Sequence, residues 1–153
     1  MQKLNFDTGL KEFECGGGIL RFNPSDPNVF ARFVESTEKL LEIEKRLVDS
    51  ATKLSEEAAP GKVMLQLMAD ADKEAKEMLH WIFGADNDFN AIFHGANIMA
   101  VGENGERVIT NFLNAIRPIM EKGAKKCAKQ QVENAVNKSK MNRAQRRAAG
   151  KKR

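Results

Sequence analysis

Two long segments of this sequence carry apolar residues at the spacing of an amphipathic helix, and they constrain the fold more than any other feature. From Phe30 to Leu54 apolar side chains recur three, four or seven positions apart, which predicts a helix of about eight turns with one apolar stripe, ending near Pro60-Gly61. Pro27 suits its first turn, where the missing N–H would be unpaired anyway. Residues 62–83 repeat the pattern after Pro60-Gly61. The sequence therefore predicts two long antiparallel helices.

Shorter apolar runs before residue 24 indicate β-structure. They are broken at Thr8-Gly9 and at Gly16-Gly17-Gly18, and glycine clusters between short apolar runs are typical of hairpin turns. Residues 2–23 are therefore predicted as a hairpin region of two or three strands, the first of them through Leu4 and Phe6. So small a sheet is not stable alone in water, and it must pack on helices or on a partner.

The rest of the chain divides into a helical body and a basic tail. A short helix over residues 88–93 and a further helix from about residue 106, kinked at Pro118, complete a body over residues 24–122. Apolar residues become rare in residues 123–153, where we expect a fraying helix and a disordered end. The predicted fold class is α+β and predominantly α-helical: a small N-terminal β-hairpin, a bundle of long antiparallel helices and a disordered basic tail.

The charge of the chain is divided between these parts. Residues 1–120 carry 13 Lys/Arg and 19 Asp/Glu, whereas residues 121–153 carry 12 Lys/Arg and two acids. This asymmetry predicts an acidic folded body with a basic tail. No apolar run approaches the roughly 20 residues that cross a bilayer, and the first residues lack the apolar core of a secretory signal. We therefore expect no membrane partner, a cytoplasmic location, and reduced thiols at Cys15 and Cys127.

A search for chemistry finds no candidate site. His80 and His94 lack metal-ligand spacing, so we expect His80 to pack or to cap a helix. Residues 86–97 imitate a calcium loop but lack its central glycine and its final bidentate glutamate, so helix capping by Asp86 or Asn87 is the better interpretation. We expect no catalytic residue, no cofactor and no metal, and hence a binding protein that is not an enzyme.

Glu44 is the first feature that suggests a binding surface. On a helical wheel it lies near the middle of the apolar stripe, between Leu40 and Leu47, where an unpaired carboxylate is costly to bury. Either this part of the helix protrudes into solvent, or the stripe around Glu44 is an interface within an oligomer or with a client protein.

The basic tail is the second such feature. It includes Arg143, Arg146 and Arg147 and has almost no apolar anchors. It is either a solvated tail, a segment that binds an acidic protein surface, or one that binds nucleic acid through phosphate contacts. It has no aromatic residue to stack on bases, so we expect no specific nucleic-acid partner.

Two N-terminal stretches carry a resemblance to a known family. Residues 5–13 (NFDTGLKEF) and residues 21–30 (RFNPSDPNVF), followed by a helical body and the basic close NRAQRR at residues 142–147, resemble small tail assembly chaperones of long-tailed phages and prophages of Gram-positive hosts. The resemblance covers nearly the whole chain. The turn Cys15-Gly16-Gly17-Gly18 departs from it, since a plainer turn such as Asn-Gly is expected there.

The resemblance implies a function that composition does not supply. It implies a chaperone that binds the tape-measure protein, and also the tail-tube subunit, in the host cytoplasm before the tail polymerises. Such a protein is not expected in the mature virion, and a longer form made by ribosomal frameshifting is expected. Met64 and Met68 would then offer an adaptable apolar groove, although ordinary core packing is the alternative. The alternative function is a nucleic-acid-associated phage protein that binds phosphates through its basic tail.

Overall fold

The structure, a computed structural model, describes residues 1–54 and 61–151. Its elements in chain order are β1 (Lys11–Cys15), β2 (Gly18–Phe22), α1 (Pro27–Leu54), α2 (Gly61–Phe83), α3 (Phe89–Ile92) and α4 (Val108–Lys151). This confirms the predicted α+β, predominantly helical class. The predicted end of the first helix, at Pro60, lies outside the described residues.

The hairpin contains two strands where two or three were expected. β1 and β2 pair antiparallel, from Lys11 opposite Phe22 to Cys15 opposite Gly18. Gly16 and Gly17 form the predicted turn, in which Gly16 adopts a φ of 55° and a Cβ on Gly17 would lie 2.6 Å from the Ala91 carbonyl oxygen. The predicted strand through Leu4 and Phe6 was wrong, because residues 1–10 are exposed and form no strand.

Helices α1 and α2 run antiparallel, as predicted. The Arg32 guanidinium donates to the carbonyl oxygen of Ile82 at 3.3 Å. About two turns further along α1, the Lys39 ammonium lies 3.6 Å from the Trp81 ring centroid. Further still, Arg46 forms an ion pair with Glu74. Later positions along α1 therefore contact earlier positions along α2, as expected for antiparallel helices.

The short helix α3 begins one residue later than expected and has a different cap. Its N-cap is Asp88, whose Oδ1 accepts from the N–H of Ala91 at 3.0 Å. Neither Asp86 nor Asn87 caps α3, but Asn87 does donate to the carbonyl oxygen of Phe83, the last residue of α2. Asn87 is buried and bonds instead to β2 and to the end of α2, because its amide can both donate and accept where a carboxylate could only accept.

Helix α4 is longer than the sequence pattern indicated. It runs unbroken from Val108 to Lys151 and includes Pro118. The expected helix beyond residue 123 is present and continues to Lys151, so the expected disordered end is not found within the described part of this segment. Helix-forming residues such as Ala, Lys, Gln and Arg dominate this stretch, and they favour helix even where no apolar face is buried.

The core joins the hairpin to all four helices. Leu20 and Phe22 of β2 are buried against it, which meets the requirement that the sheet pack on helices. Phe22 contacts Phe83 of α2 edge-on at 5.0 Å between ring centroids, and Phe83 contacts Phe112 of α4 at 6.1 Å. In the part of the chain that the structure describes, no helix is long and apolar enough to cross a membrane.

Candidate functional site

The two histidines lie apart from each other in the fold, and His80 has a packing role. His80 Nε2 lies 2.9 Å from the carbonyl oxygen of Asn87, and its ring packs edge-on against Phe89, which is the packing role expected for it. Within residues 1–54 and 61–151, no group of three or more His, Cys, Asp or Glu side chains could hold a metal ion. The remaining candidates are surfaces that could bind a partner.

Glu44 has a partner within its own chain. Its Oε1 lies 3.5 Å from the Nε of Arg107, with the two side chains 29% and 24% exposed. Arg107 also donates from Nη1 to the Met99 carbonyl oxygen at 2.5 Å. Glu44 therefore lies at the margin of the buried stripe, where the ion pair ties α1 to the segment before α4. The structure thus gives Glu44 a partner within the chain, and its role in binding a client or a second copy stays a prediction.

Leu40 and Leu47 are part of the core and not of an open surface. Both are buried, together with Ile43 on the same side of α1. Because the stripe faces the body from Val29 to Leu54, these two leucines are not accessible to a client in this structure. In this structure both pack in the core, and their partner-binding role stays a prediction.

Met64 and Met68 lie in the first half of α2 and are partly buried against the core. The two methionines do not form an open groove, although part of each side chain is exposed to solvent. The apolar side chains that α2 exposes here are Val63 and Leu65. The alternative interpretation of the methionines as core residues fits their positions better.

An exposed apolar row on α1 was not singled out by the sequence pattern. Val34, Leu41 and Val48 are 55%, 59% and 58% exposed, and their seven-residue spacing aligns them on one side of the helix. Glu38, Lys45 and Asp49 lie on the outward side of this row and are exposed. The signal was present in the sequence, since the stripe is wider than one neighbouring helix can cover.

Helix α4 leaves the body at Gly123. A Cβ on this glycine would lie 1.9 Å from the Pro24 carbonyl oxygen, so only glycine permits the close crossing. We call residues 124–151 the α4 extension. Every residue from Ala128 to Gly150 is exposed. The extension carries nine Lys/Arg and one acid, Glu133. It is a basic helix outside the core.

One side of the α4 extension combines apolar and basic residues. Val132 and Val136, 63% and 45% exposed, share a side with Ala128 and Ala135. Lys125, Lys129 and Arg143 border that side, and the opposite side carries mainly amides, including Gln130, Asn134 and Asn137. The α4 extension is thus weakly amphipathic. Most of its positive charge lies around the small apolar group formed by Val132 and Val136.

The three predicted arginines lie near the end of this extension. Arg143, Arg146 and Arg147 are all exposed. Arg143 and Arg147 are one turn apart and border the same shallow depression, beside Lys140. The eight candidate residues therefore do not form one site: two are core, one is an internal ion pair, two are partly buried, and three lie on an exposed basic helix.

Comparison with protein-family models, with curated proteins and with solved structures finds no match to this chain.

Proposed function

We propose that this chain is a tail assembly chaperone of a long-tailed phage or prophage. It binds the tape-measure protein, and the tail-tube subunit, in the host cytoplasm before the tail polymerises, and it is absent from the mature virion. It acts by binding and has no chemistry of its own. The resemblance in residues 5–13 and 21–30 supports the family, and the α4 extension is the structural observation that carries the binding role.

The α4 extension suits a helical client. Its 28 residues span about 42 Å at 1.5 Å per residue, long enough to lie along several turns of a partner helix. An isolated helix is only marginally stable in water, so contact with a partner would stabilise it. Val132 and Val136 supply the apolar contact and the surrounding Lys and Arg residues select an acidic partner. A tape-measure protein, as a long helical chain with apolar stripes, offers such a partner.

The second surface that fits this role is the exposed row on α1. Val34, Leu41 and Val48 can take an apolar stripe, and Glu38 and Asp49 beside them favour basic residues of a client. The two surfaces have opposite charge. A long client with alternating acidic and basic segments would be held at two points, which raises the overall affinity above that of either surface.

The test is capture of the client by the full-length chain. The chain is co-expressed with the tape-measure protein encoded near its own gene, and the soluble complex is isolated through a tag on the chaperone. We expect the double variant Val132→Asp/Val136→Asp to lower the affinity about 10-fold or more, because it removes the apolar centre and reduces the positive charge. Asn134→Asp/Asn137→Asp adds the same charge on the opposite side and serves as the matched control. If wild-type chain captures no client, or if both double variants lose binding equally, the proposal is wrong.

Nucleic-acid binding is the alternative function, and the nine Lys/Arg of the extension are the observation that favours it. Binding of this kind depends on counterion release, so it falls steeply as salt rises and shows little sequence preference. A titration of the full chain with duplex DNA and with RNA at 50 and 200 mM salt separates the two functions. Tight binding at 50 mM salt that weakens steeply at 200 mM, with little sequence preference, supports this alternative, and no binding at 50 mM excludes it. The longer, frameshifted form is tested by the gene itself, which should have an overlapping downstream frame followed by a very long tape-measure gene.

A further inference from the structure

Residues 1–10, which we call the arm, have the pattern of a strand without a sheet. Leu4 and Phe6 are 82% and 79% exposed and alternate with Lys3, Asn5 and Asp7. Alternation with period two places the apolar and the polar side chains on opposite faces of an extended chain. Such a segment is stabilised when its main chain pairs with the edge of a sheet and its own apolar face is covered by other apolar side chains.

The structure holds the arm away from its own hairpin. Asn23 Nδ2 donates to the Thr8 carbonyl oxygen at 3.0 Å, and the Gly9 N–H donates to Asp7 Oδ1 at 2.8 Å. Gly9 has a φ of 74°, and a Cβ there would lie 2.7 Å from Asn23 Nδ2. These contacts carry the chain past the end of β2 at Asn23, so the arm does not fold back on β1 of the same chain.

The hairpin meanwhile has one open edge. The Arg21 N–H donates to Asn87 Oδ1 at 2.7 Å and its carbonyl accepts from Asn87 Nδ2 at 3.0 Å, so the main chain of Arg21 points away from β1. Pairs alternate along an antiparallel ladder, so Glu12, opposite Arg21, and Glu14, two residues on, turn their N–H and C=O groups to the outer side of β1. Within residues 1–54 and 61–151, no hydrogen bond to these four groups is found.

The open edge also leaves apolar surface uncovered. Phe13 and Cys15 lie on the core-facing side of β1, beside the buried Leu20, yet both are only partly buried. Burial is sufficient to raise the pKa of the Cys15 thiol above its usual value. A further strand on this edge would extend the apolar layer over them, whereas the acidic Glu12 and Glu14 occupy the solvent side.

We propose that the arm of one copy adds as a third strand to β1 of a second copy, and that the exchange is reciprocal. In an antiparallel register that sets Leu4 beside Phe13, Lys3 lies beside Glu14 and Asn5 beside Glu12 on the solvent face. On the core-facing side Phe6 lies beside Lys11, whose aliphatic stem can pack along the ring, and Gln2 lies beside Cys15. The arm and the edge are complementary in shape, hydrogen bonding and charge, and both belong to this chain. The partner is therefore a second copy, in a two-fold dimer that pairs the open β1 edge of each copy.

A cysteine placed in the arm tests the register. In this pairing Gln2 lies opposite Cys15 at a non-hydrogen-bonded position, where Cα atoms are about 4.5 Å apart, within the range that a disulfide spans. We expect Gln2→Cys in a Cys127→Ser background to form a covalent dimer on oxidation, seen on a non-reducing gel and removed by dithiothreitol. Asn5→Cys in the same background faces the other side of the strand and should not cross-link. Absence of the Gln2→Cys dimer, or equal cross-linking of both variants, overturns the proposal.

A charge exchange tests the partner without covalent chemistry. Sedimentation of the full chain should show a dimer whose dissociation constant weakens at least about 10-fold in Lys3→Glu, because the symmetric dimer contains the pair twice. The double variant Lys3→Glu/Glu14→Lys should restore the wild-type value. A monomeric wild-type chain, or a dimer that is indifferent to these changes, excludes strand exchange. This inference does not depend on the identity of the client.

Discussion

Asn87 joins the hairpin to the helices through hydrogen bonds that the sequence pattern could not reveal. An Asx residue next to a short helix suggests a cap, and the neighbouring Asp88 does cap α3. Asn87 instead bonds to Arg21, which lies 66 positions away. Arg107, the partner of Glu44, is similarly distant at 63 positions, so the apolar stripe could not indicate this ion pair either. Local periodicity indicates which side of a helix is apolar, but it does not identify the charge or amide that lies across the fold.

We expect Asn87→Ala to lower the free energy of unfolding by about 2–4 kcal/mol. The variant leaves four main-chain partners without Asn87: the N–H and the C=O of Arg21 and the C=O groups of Phe83 and Gly84. Chemical denaturation with urea measures the loss. Asn90→Ala is the matched control, because Asn90 is exposed and close by, and it should change stability by less than about 0.5 kcal/mol. A loss below about 1 kcal/mol for Asn87→Ala would show that water replaces these bonds.

At the scale of elements, the helices with an apolar stripe were predictable and those without one were not. The boundaries of α1 at Pro27 and of α2 at Phe83 follow from proline, glycine and periodicity. The α4 extension has no such stripe, and its scarcity of apolar residues predicts disorder. Its Ala, Lys, Gln and Arg residues nevertheless favour helix. For the arm the prediction fails in the opposite direction, because a strand is expected there and none is formed. Its alternation indicates a strand, but no strand of the same chain is positioned to pair with it.

Gly123 sets the path of α4 across the body. Glycine to alanine in a helix interior normally stabilises by up to about 1 kcal/mol, because alanine has the higher helix propensity. At Gly123 the sign should reverse, since the new Cβ would meet the carbonyl group of Pro24, which is main chain and cannot rotate away. We expect Gly123→Ala to destabilise by about 1–3 kcal/mol in thermal or urea denaturation.

Gly150→Ala is the control for this substitution. Gly150 lies in the same helix, and a Cβ there meets nothing within 4 Å. It should therefore be neutral or slightly stabilising. If Gly123→Ala is neutral as well, α4 can shift away from Pro24 at little cost, and the crossing is not rigid.

At the scale of the whole molecule, the charge division in the sequence corresponds to a division in space. The acidic part, residues 1–120, contains the core, and the basic part is mostly the α4 extension. The domain boundary predicted at residue 123 falls inside α4 and not between elements. The candidate surfaces follow the same division. The arm and the α1 row lie on the acidic part, and the three arginines lie on the basic helix, so one chain presents surfaces of opposite charge.

This division predicts that the body folds without most of the extension. Ala124 and Cys127 are partly buried, whereas every residue from Ala128 to Gly150 is exposed, so truncation after Lys129 removes helix but almost no core contact. The melting temperature should stay within about 2 °C of wild type, because for a chain of this size 1 kcal/mol shifts it by about 2–4 °C. Far-ultraviolet circular dichroism should lose helical signal in proportion to the helix removed, and client capture should fall with it. A melting temperature lower by 10 °C would show that the extension packs on the body or on a second copy. An unchanged helical signal would show that residues 130–151 are not helical when free, and that they become helical on binding.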